Sequence, residues 1–363
     1  LFRDNELVGA MRFHDFRLNV RGTAVTAGGV GGVAVDLMHK KERVAWEMMQ
    51  FYLHHYRERG APMALLWPFR PDFYRKMGFG YGAKMNHYQI KPAELPASNL
   101  RRQVRFLSAA DIPSLVGCHN EYFKRRNGMI EENEHAFFRI FGADARQEVI
   151  GFARDGVLEG YAVIAFDNFD PHNFIGYDLR VHQLVYLTRE ALAGLLGFLQ
   201  SQLDQVRWVR LSSSDDSLHF LLHDPRNDSS VIERPVHHST NTAGVGIMYR
   251  VIDLARLLDL LGDDTFGAGE MTLGITLEDT FLPQENGRRV LRFANGRAAL
   301  VDSDATDAEI ALPMEDFSSL LMGAVSFERL WEYGRAETSD PALIDQVTTI
   351  FRTEASPLCL TGF

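Results

Sequence analysis

Cysteine is nearly missing from this chain: of 363 residues only two, Cys118 and Cys359, carry a thiol. They stand far apart and outside any CxxC pair. That excludes a disulfide scaffold and a cysteine-based structural zinc site, and it points to a reducing, cytoplasmic compartment. No stretch approaches about 18 consecutive apolar residues, so no membrane-spanning helix is expected. A cationic surplus is missing too. Lys and Arg number 38 against 48 Asp and Glu, for a formal net charge of −10. This balance excludes nucleic-acid binding by bulk charge, favours cationic small molecules, and leaves any polyanion to a local basic patch. Neither GxSxG nor GK[ST] occurs, so no serine-hydrolase elbow and no P-loop is encoded. The adjacent pairs His54-His55 and His237-His238 point to different sides of a helix or strand and lack ligand spacing, so no metal is expected.

What is present is an ordinary globular balance, 46% hydrophobic and 24% charged, enough for each of two or three domains to bury a core. Strand alternation runs through residues 5–20, and a helical pattern of Val44, Met48, Phe51 or Tyr52 and His55 closes at Gly60. "PMALLWPF" (62–69) reads as a buried strand. "PDFYRKMG" (71–78) reads as a short helix with Pro71 at its first position and Gly78 past its end. A strand at 87–95 leads to the linker "KPAELPASN". The second segment holds the helical "ADIPSLVGCHNEYFKRR", a hairpin signal at Asp155-Gly156, a helix at 188–204 and the strand "WVRLSSS". The third begins near Gly246 with a strand and helix, followed by a strand meander and further helices. The reading is α+β throughout, with domains at 1–97, 98–245 and 246–363. The opening "LFRDNELVGAMRF" is already strand-like, so the chain is expected to start inside its first domain, without helices that would precede it.

The stretch "GGVGGVAVDLMHKKERVA" (28–45) joins glycines, a short strand Val33-Ala34-Val35 and a basic cluster. Gly29-x-Gly31 superficially resembles a dinucleotide fingerprint, but there the glycines lead straight into the helix. Here the strand intervenes. A twisted or bulged strand edge accounts for the glycines equally well. His39, Lys40, Lys41 and Arg43 sit where a helix start presents unpaired N–H groups and the positive end of its dipole. Cations there oppose the dipole unless an anion sits among them.

The order of "GVAV", "HKKERVA", an amphipathic helix, "ALLWPF" and "FYRKMGFGYG" resembles the acetyl-CoA core of GCN5-related N-acetyltransferases (GNAT). The whole chain resembles the enhanced intracellular survival (Eis) branch. Two tandem acetyltransferase-like units, the second degenerate, precede a sterol-carrier-protein-like domain, here "AEIALPMEDFSSLLMGAVSFERLWEYGRAET". The resemblance implies that the backbone of Val33, Ala34 and Val35 holds the pantetheine arm and thioester. Lys40, Lys41, Arg43 and Val44 would wrap the pyrophosphate, with Arg43 standing where the family has Gly. It implies Tyr74 as general acid, with Tyr81 a competitor, and the carboxylate of Phe363 as general base. Gly362 precedes it where relatives can carry an acid. It further implies N-acetylation of primary amines, on small cationic molecules (aminoglycoside-like or polyamine) or lysine side chains, by a homo-oligomer, a hexamer in the family. A different class remains open: an apolar-ligand or lipid carrier with an inactive acetyltransferase core. Arg70, Arg75 and Lys76 flank Tyr74 as phosphate contacts or as solvated surface. Asp215-Asp216 and Asp263-Asp264 read as loop or cap residues.

Overall fold

The computed structural model of the chain describes residues 1–142, 146–168, 172 and 175–363. After a small flap, Phe2–Arg3 paired with Glu6–Leu7, two long strands form an antiparallel hairpin: β1 (Gly9–Val20) and β2 (Thr23–Val35). Their turn residues Arg21 and Gly22 both have positive φ, 53° and 88°, as a two-residue primed turn requires. Helix α1 (Val44–Glu58) buries Val44, Met48, Met49, Tyr52, Leu53 and Tyr56, one face of a 3.6-residue period. Strand β3 (Met63–Leu66) is fully buried and runs parallel to β2. Helix α2 (Pro71–Arg75) and the short β4 (Gly80–Tyr81) follow.

The next strand, β5 (Lys84–Ile90), leaves this sheet. It joins β6 (Val104–Phe106), β7 (Glu148–Arg154), β8 (Val157–Asn168), β9 (Tyr177–Tyr186), β10 (Val206–Ser213) and β11 (Asn241–Val245) in a seven-stranded sheet ordered β11-β5-β10-β9-β8-β7-β6. Asp155 and Gly156, at φ 51° and 81°, close the β7–β8 hairpin as their sequence predicts. Helices α3 (Ile112–Lys124) and α4 (Arg189–Gln200) belong to the same unit, and α4 packs Ala191, Leu195, Leu196 and Leu199 into its core.

Strand β12 (Met248–Val251) returns to the first sheet. It lies between β3 and β4, giving the order β1-β2-β3-β12-β4. Helix α5 (Leu254–Leu260) then leads into the strands β13 (Met271–Glu278), β14 (Gly287–Ala294), β15 (Arg297–Leu300) and β16 (Ala308–Pro313). Helices α6 (Met314–Leu321) and α7 (Phe327–Glu332), strand β17 (Glu337–Thr338) and helix α8 (Ile344–Phe351) complete the chain before its extended tail. These strands make a second five-stranded sheet, β15-β14-β13-β16-β17.

The compact units therefore differ from the divisions at 97/98 and 245/246, which follow chain order. One unit comprises 1–83, 126–130 and 245–363; the other comprises 84–125 and 131–244. The cause is strand exchange: β5, expected to close the first domain, pairs with β10, while β12, expected to open the third, pairs with β3 and β4. Leu18, Val20, Val25, Met63 and Tyr249 of the first sheet share one core with Leu273, Phe293, Phe317 and Phe351 of the C-terminal segment. A five-residue excursion, 126–130, locks in beside the hairpin, with Gly128 N donating to Asn19 O at 2.8 Å and Asn127 Nδ2 to Met322 O at 2.7 Å.

Arg21 explains why a non-glycine residue occupies a left-handed turn. Its guanidinium enters the C-terminal segment and donates to the carbonyls of Thr265 (2.5 Å), Leu321 (3.0 Å), Phe351 (3.1 Å) and Arg352 (2.9 Å). It also lies 4.5 Å from the Phe266 ring centroid. Burial pulls its pKa down to about 10, yet its planar fork serves several acceptors that would otherwise be orphaned. Replacing Arg21 with Met should cost about 3 kcal/mol or more, because buried carbonyls lose their donors. Urea titration checks this, and Arg21→Lys, with a point charge instead of a fork, should recover less than half of the loss.

Candidate active site

Parallel pairing of β2 with β3 runs from Ala27–Met63 to Val30–Leu66 and ends there, while β2 continues to Val35. Among the described residues, 31–35 pair only with β1, as in Ala10–Ala34 and Gly9–Val35. One backbone edge of Val33, Ala34 and Val35 thus faces a wedge between diverging strands. Between the pairs Arg12–Gly31 and Ala10–Ala34, Met11 faces two residues, Gly32 and Val33. Gly32 has φ 58°, the left-handed state of a β-bulge, which re-aims the backbone beyond it. The sequence suggested glycines followed by a strand; the structure makes them one continuous strand with a bulge inside it.

The glycines clear both faces of β2. On one face, a methyl group at Gly28 would stand 2.3 Å from the Tyr56 ring of α1. On the other, a methyl at Gly29 would meet the Phe16 ring at 2.3 Å and the Phe363 ring at 3.1 Å. A methyl at Gly31 would stand 3.2 Å from the terminal carbonyl carbon of Phe363 and 3.5 Å from His14 Nε2. The tail is held on its way there. Leu358 N donates to Asn127 O (2.9 Å), and Trp67 Nε1 donates to Thr361 O (3.1 Å). Phe363 then stacks edge-on against Phe16, with centroids 4.8 Å apart, and lies 5.4 Å from the His14 ring. The C-terminal residue is thereby brought to the strand that carries Val33–Val35. His14, Phe16, Trp67 and Asn127 were not visible as site residues in the sequence; β-alternation places His14 and Phe16 on one face, but nothing in it names what they face.

Tyr74 sits in α2, whose start is set by Pro71 at its first turn. Its side chain is buried at 5% exposure, in one cluster with Val30 and Leu66, the last residues of the parallel pairing. The Phe73 and Phe79 rings lie 5.3 and 6.2 Å away. Burial raises its pKa above the usual phenol value, so it stays protonated at neutral pH. Tyr81 is covered instead by the Arg75 guanidinium at 4.7 Å. Arg75 is itself committed to Asp316 at 2.9 Å, and Arg70 to Asp72 at 2.6 Å; these two arginines serve ion pairs within the fold.

The turn before α1 is built differently from an ordinary helix start. Lys41 (φ 71°) and Arg43 (φ 62°) are both left-handed, and no side chain caps the first turn of α1 among the described residues. Glu42 is hydrogen-bonded to His39 at 2.9 Å and paired with Arg3 at 3.0 Å, and its pKa is lowered chiefly by the His39 hydrogen bond. Lys40, Lys41 and Arg43 are exposed and form no ion pair among the described residues, while Val44 is buried. A helix N-terminus of this kind, ringed by uncompensated cations, suits a phosphate. The corresponding position of the second unit is closed: Thr188 Oγ1 accepts from Ala191 N (3.2 Å) and donates to Glu159 (2.8 Å). No group of three or more His, Cys, Asp or Glu gathers as a metal cluster among the described residues.

Family models for acetyltransferase (GNAT) domains match residues 1–82 and 127–251, and a sterol carrier protein domain model matches residues 259–360. An uncharacterized N-acetyltransferase of Streptomyces griseus is 25% identical, covering 94% of this chain and 82% of the relative. One from Streptomyces coelicolor is 24% identical, covering 99% and 88%. Among solved structures, a GCN5-related N-acetyltransferase from Anabaena variabilis aligns with TM-score 0.84 at 18% identity, over 100% of this chain and 88% of that one. Eis1 from Mycobacterium abscessus aligns with TM-score 0.79 at 20% identity, over 100% and 89%. The chain is an acetyltransferase of the GCN5-related class, built from two such domains and a sterol carrier protein domain. Within that class its fold is Eis-like from end to end.

Arg43 occupies a conformation that a side chain strains by about 1 kcal/mol relative to glycine. Arg43→Gly should therefore raise stability by about that amount in urea titration. If the guanidinium meets phosphate, the same substitution should raise KM for acetyl-CoA several-fold.

Proposed function

We propose that the protein transfers an acetyl group from acetyl-CoA to primary amines of small cationic molecules, aminoglycoside-like or polyamine, or to lysine side chains. The observation that carries this reading is the coincidence of an open strand wedge at residues 31–35 with an uncapped helix start bearing three free cations. The wedge offers backbone N–H groups of Val33 and Val35 to a pantetheine arm and to a developing oxyanion. Lys40, Lys41, Arg43 and the N–H groups at the start of α1, beginning with Val44, would receive the pyrophosphate. Tyr74 is the proposed general acid. Proton transfer from even an ordinary phenol, near pKa 10, to a leaving thiolate of parent pKa about 8.5 is uphill, and the burial that raises the Tyr74 pKa is offset only as the same burial raises the basicity of the thiolate. The Phe363 carboxylate is the proposed base, and the acidity of the whole chain favours a cationic acceptor. The family resemblance adds a homo-oligomer, a hexamer, to the proposal.

The carrier reading finds less support. Within the C-terminal segment, Phe266, Phe293 and Phe351 pack at centroid distances of 5.3 to 6.0 Å, and Phe317 lies 6.3 Å from Phe351. These rings pack against one another as the residues of a filled core do.

Incubation with acetyl-CoA and a panel of amines should release free thiol only when amine is present. Stabilisation by acyl lipids without turnover would favour the carrier instead. Tyr74→Phe should lower kcat about 10²–10⁴-fold with acetyl-CoA affinity retained. Because burial raises the Tyr74 pKa, the acid stays protonated through neutral pH, and any alkaline loss of activity that Tyr74 causes should come above the ordinary phenol range. An unchanged rate in Tyr74→Phe would remove it from the mechanism.

A further inference from the structure

A terminal carboxylate, with an unperturbed pKa of about 3.3–3.7, is a poor acceptor for a proton from an amine. The face of β1 that meets the tail carries a better one. Arg12, His14 and Phe16 alternate onto that face, opposite Gly31, Gly29 and Ala27 of β2. The point where a Gly31 Cβ would stand is 3.3 Å from Phe363 O and 3.5 Å from His14 Nε2. Imidazole and carboxyl therefore flank one side-chain-free gap in the strand. His14 also stacks on Phe16, with centroids 5.7 Å apart and planes 9° from parallel, which fixes the ring orientation.

We propose that the proton acceptor of the reaction is a pair, the His14 imidazole with the Phe363 carboxylate, rather than the carboxylate alone. This rests on the reading of the Phe363 carboxylate as part of the active site. As the C–N bond forms, the amine N–H proton passes to the imidazole, and the adjacent carboxylate stabilises the imidazolium. The C–S bond breaks, its electron pair takes the Tyr74 proton, and solvent returns imidazolium and tyrosinate to their starting forms. Imidazole titrates near 6.5 without perturbation, so it is matched to neutral pH where a carboxylate is not.

Charged groups on the described elements packed around His14 include the following. Its own face of β1 contributes Arg12, the β2 residues opposite are Gly31, Gly29 and Ala27, and the tail contributes the carboxyl of Phe363. The opposite face of the hairpin carries Phe13 and Asp15, which engage His55 and Tyr56 of α1. The carboxylate favours the imidazolium and Arg12 disfavours it; the carboxylate stands at the gap itself, so it should dominate.

The test uses the full chain and three readouts. His14→Gln should lower kcat/KM for the amine about 10²-fold or more, leave KM for acetyl-CoA within about twofold, and abolish an acid limb in the imidazole range of the kcat/KM profile. Appending Gly-Ser after Phe363 should lower kcat comparably and move the His14 ring resonance to a lower titration midpoint by NMR, a readout independent of turnover. Full activity in the extended chain would overturn the terminal-carboxylate reading and this pair with it. A dead extended chain beside a His14→Gln variant with native kcat and an unmoved acid limb would overturn the pair alone. An unchanged His14 midpoint in the extended chain would do the same, by showing that carboxyl and imidazole are not coupled.

Discussion

A single buried guanidinium sets where the C-terminal tail begins. Arg21, at the tip of the β1–β2 hairpin, takes four carbonyls from the C-terminal segment, two of them at Phe351 and Arg352 where α8 gives way to the tail. The hairpin that carries the glycine strand and the segment that carries the chain's end are thereby fixed to each other within one core. The second fixed point is Leu358 on Asn127, beside the Gly128–Asn19 contact at the end of β1. From there Phe363 reaches His14. The sequence separation from Leu358 to Phe363 equals that from Asn19 to His14, so an extended tail keeps pace with the strand at roughly 3.3 Å per residue. Position at Gly31 follows from length, not from a dedicated binding motif.

That dependence explains which parts of the site were legible. The wedge strand, the basic turn and the Pro-led helix of Tyr74 are local signals: alternation, charge at a helix start, and Pro and Gly punctuation. They survive in the structure with small shifts of boundary. Residues 87–95, read as a closing strand of the first domain, appear as Lys84–Ile90 in the other unit's sheet, because both readings satisfy the same alternation. Partner choice for a strand is set by non-local pairing, which a single sequence does not display. His14 looked like any residue of an alternating strand. Its interest arises only once Gly31 is known to leave a gap and the tail to fill one side of it.

The glycine run shows the same point from another side. Between Gly28 and Gly32 the strand presents side chains to neither face except at Val30, and each face is used: Tyr56 on one, Phe16 and the tail on the other. Glycine weakens a strand by entropy and lost packing. Here the aromatic rings recover contact area by touching the backbone directly, and Tyr52 OH donates to Gly28 O at 2.5 Å. The glycines serve close approach, and the candidate phosphate grip lies further on, at the uncapped start of α1.

The second acetyltransferase unit separates fold from chemistry. It keeps the parallel pair, β9 with β10, registered from Tyr177–Val206 to Val181–Leu211, and β9 runs on to Tyr186 as β2 runs on to Val35. What differs is the connection. Only Leu187 and Thr188 separate β9 from α4, and Thr188 caps the helix with its own hydroxyl. Between β2 and α1 lie eight residues, from Asp36 to Arg43, two of them in left-handed conformations and three of them free cations. Diverging strands come with the architecture, since parallel neighbours twist apart when their helix packs across them. The proposed anion site would come from the loop alone, and the loop costs stability through strain and through cations placed at a positive dipole end. On the proposed reading, a unit relieved of binding cofactor would be expected to shorten that loop and cap that helix, which is the arrangement at Thr188, and a bound anion would offset the strained turn of the first unit.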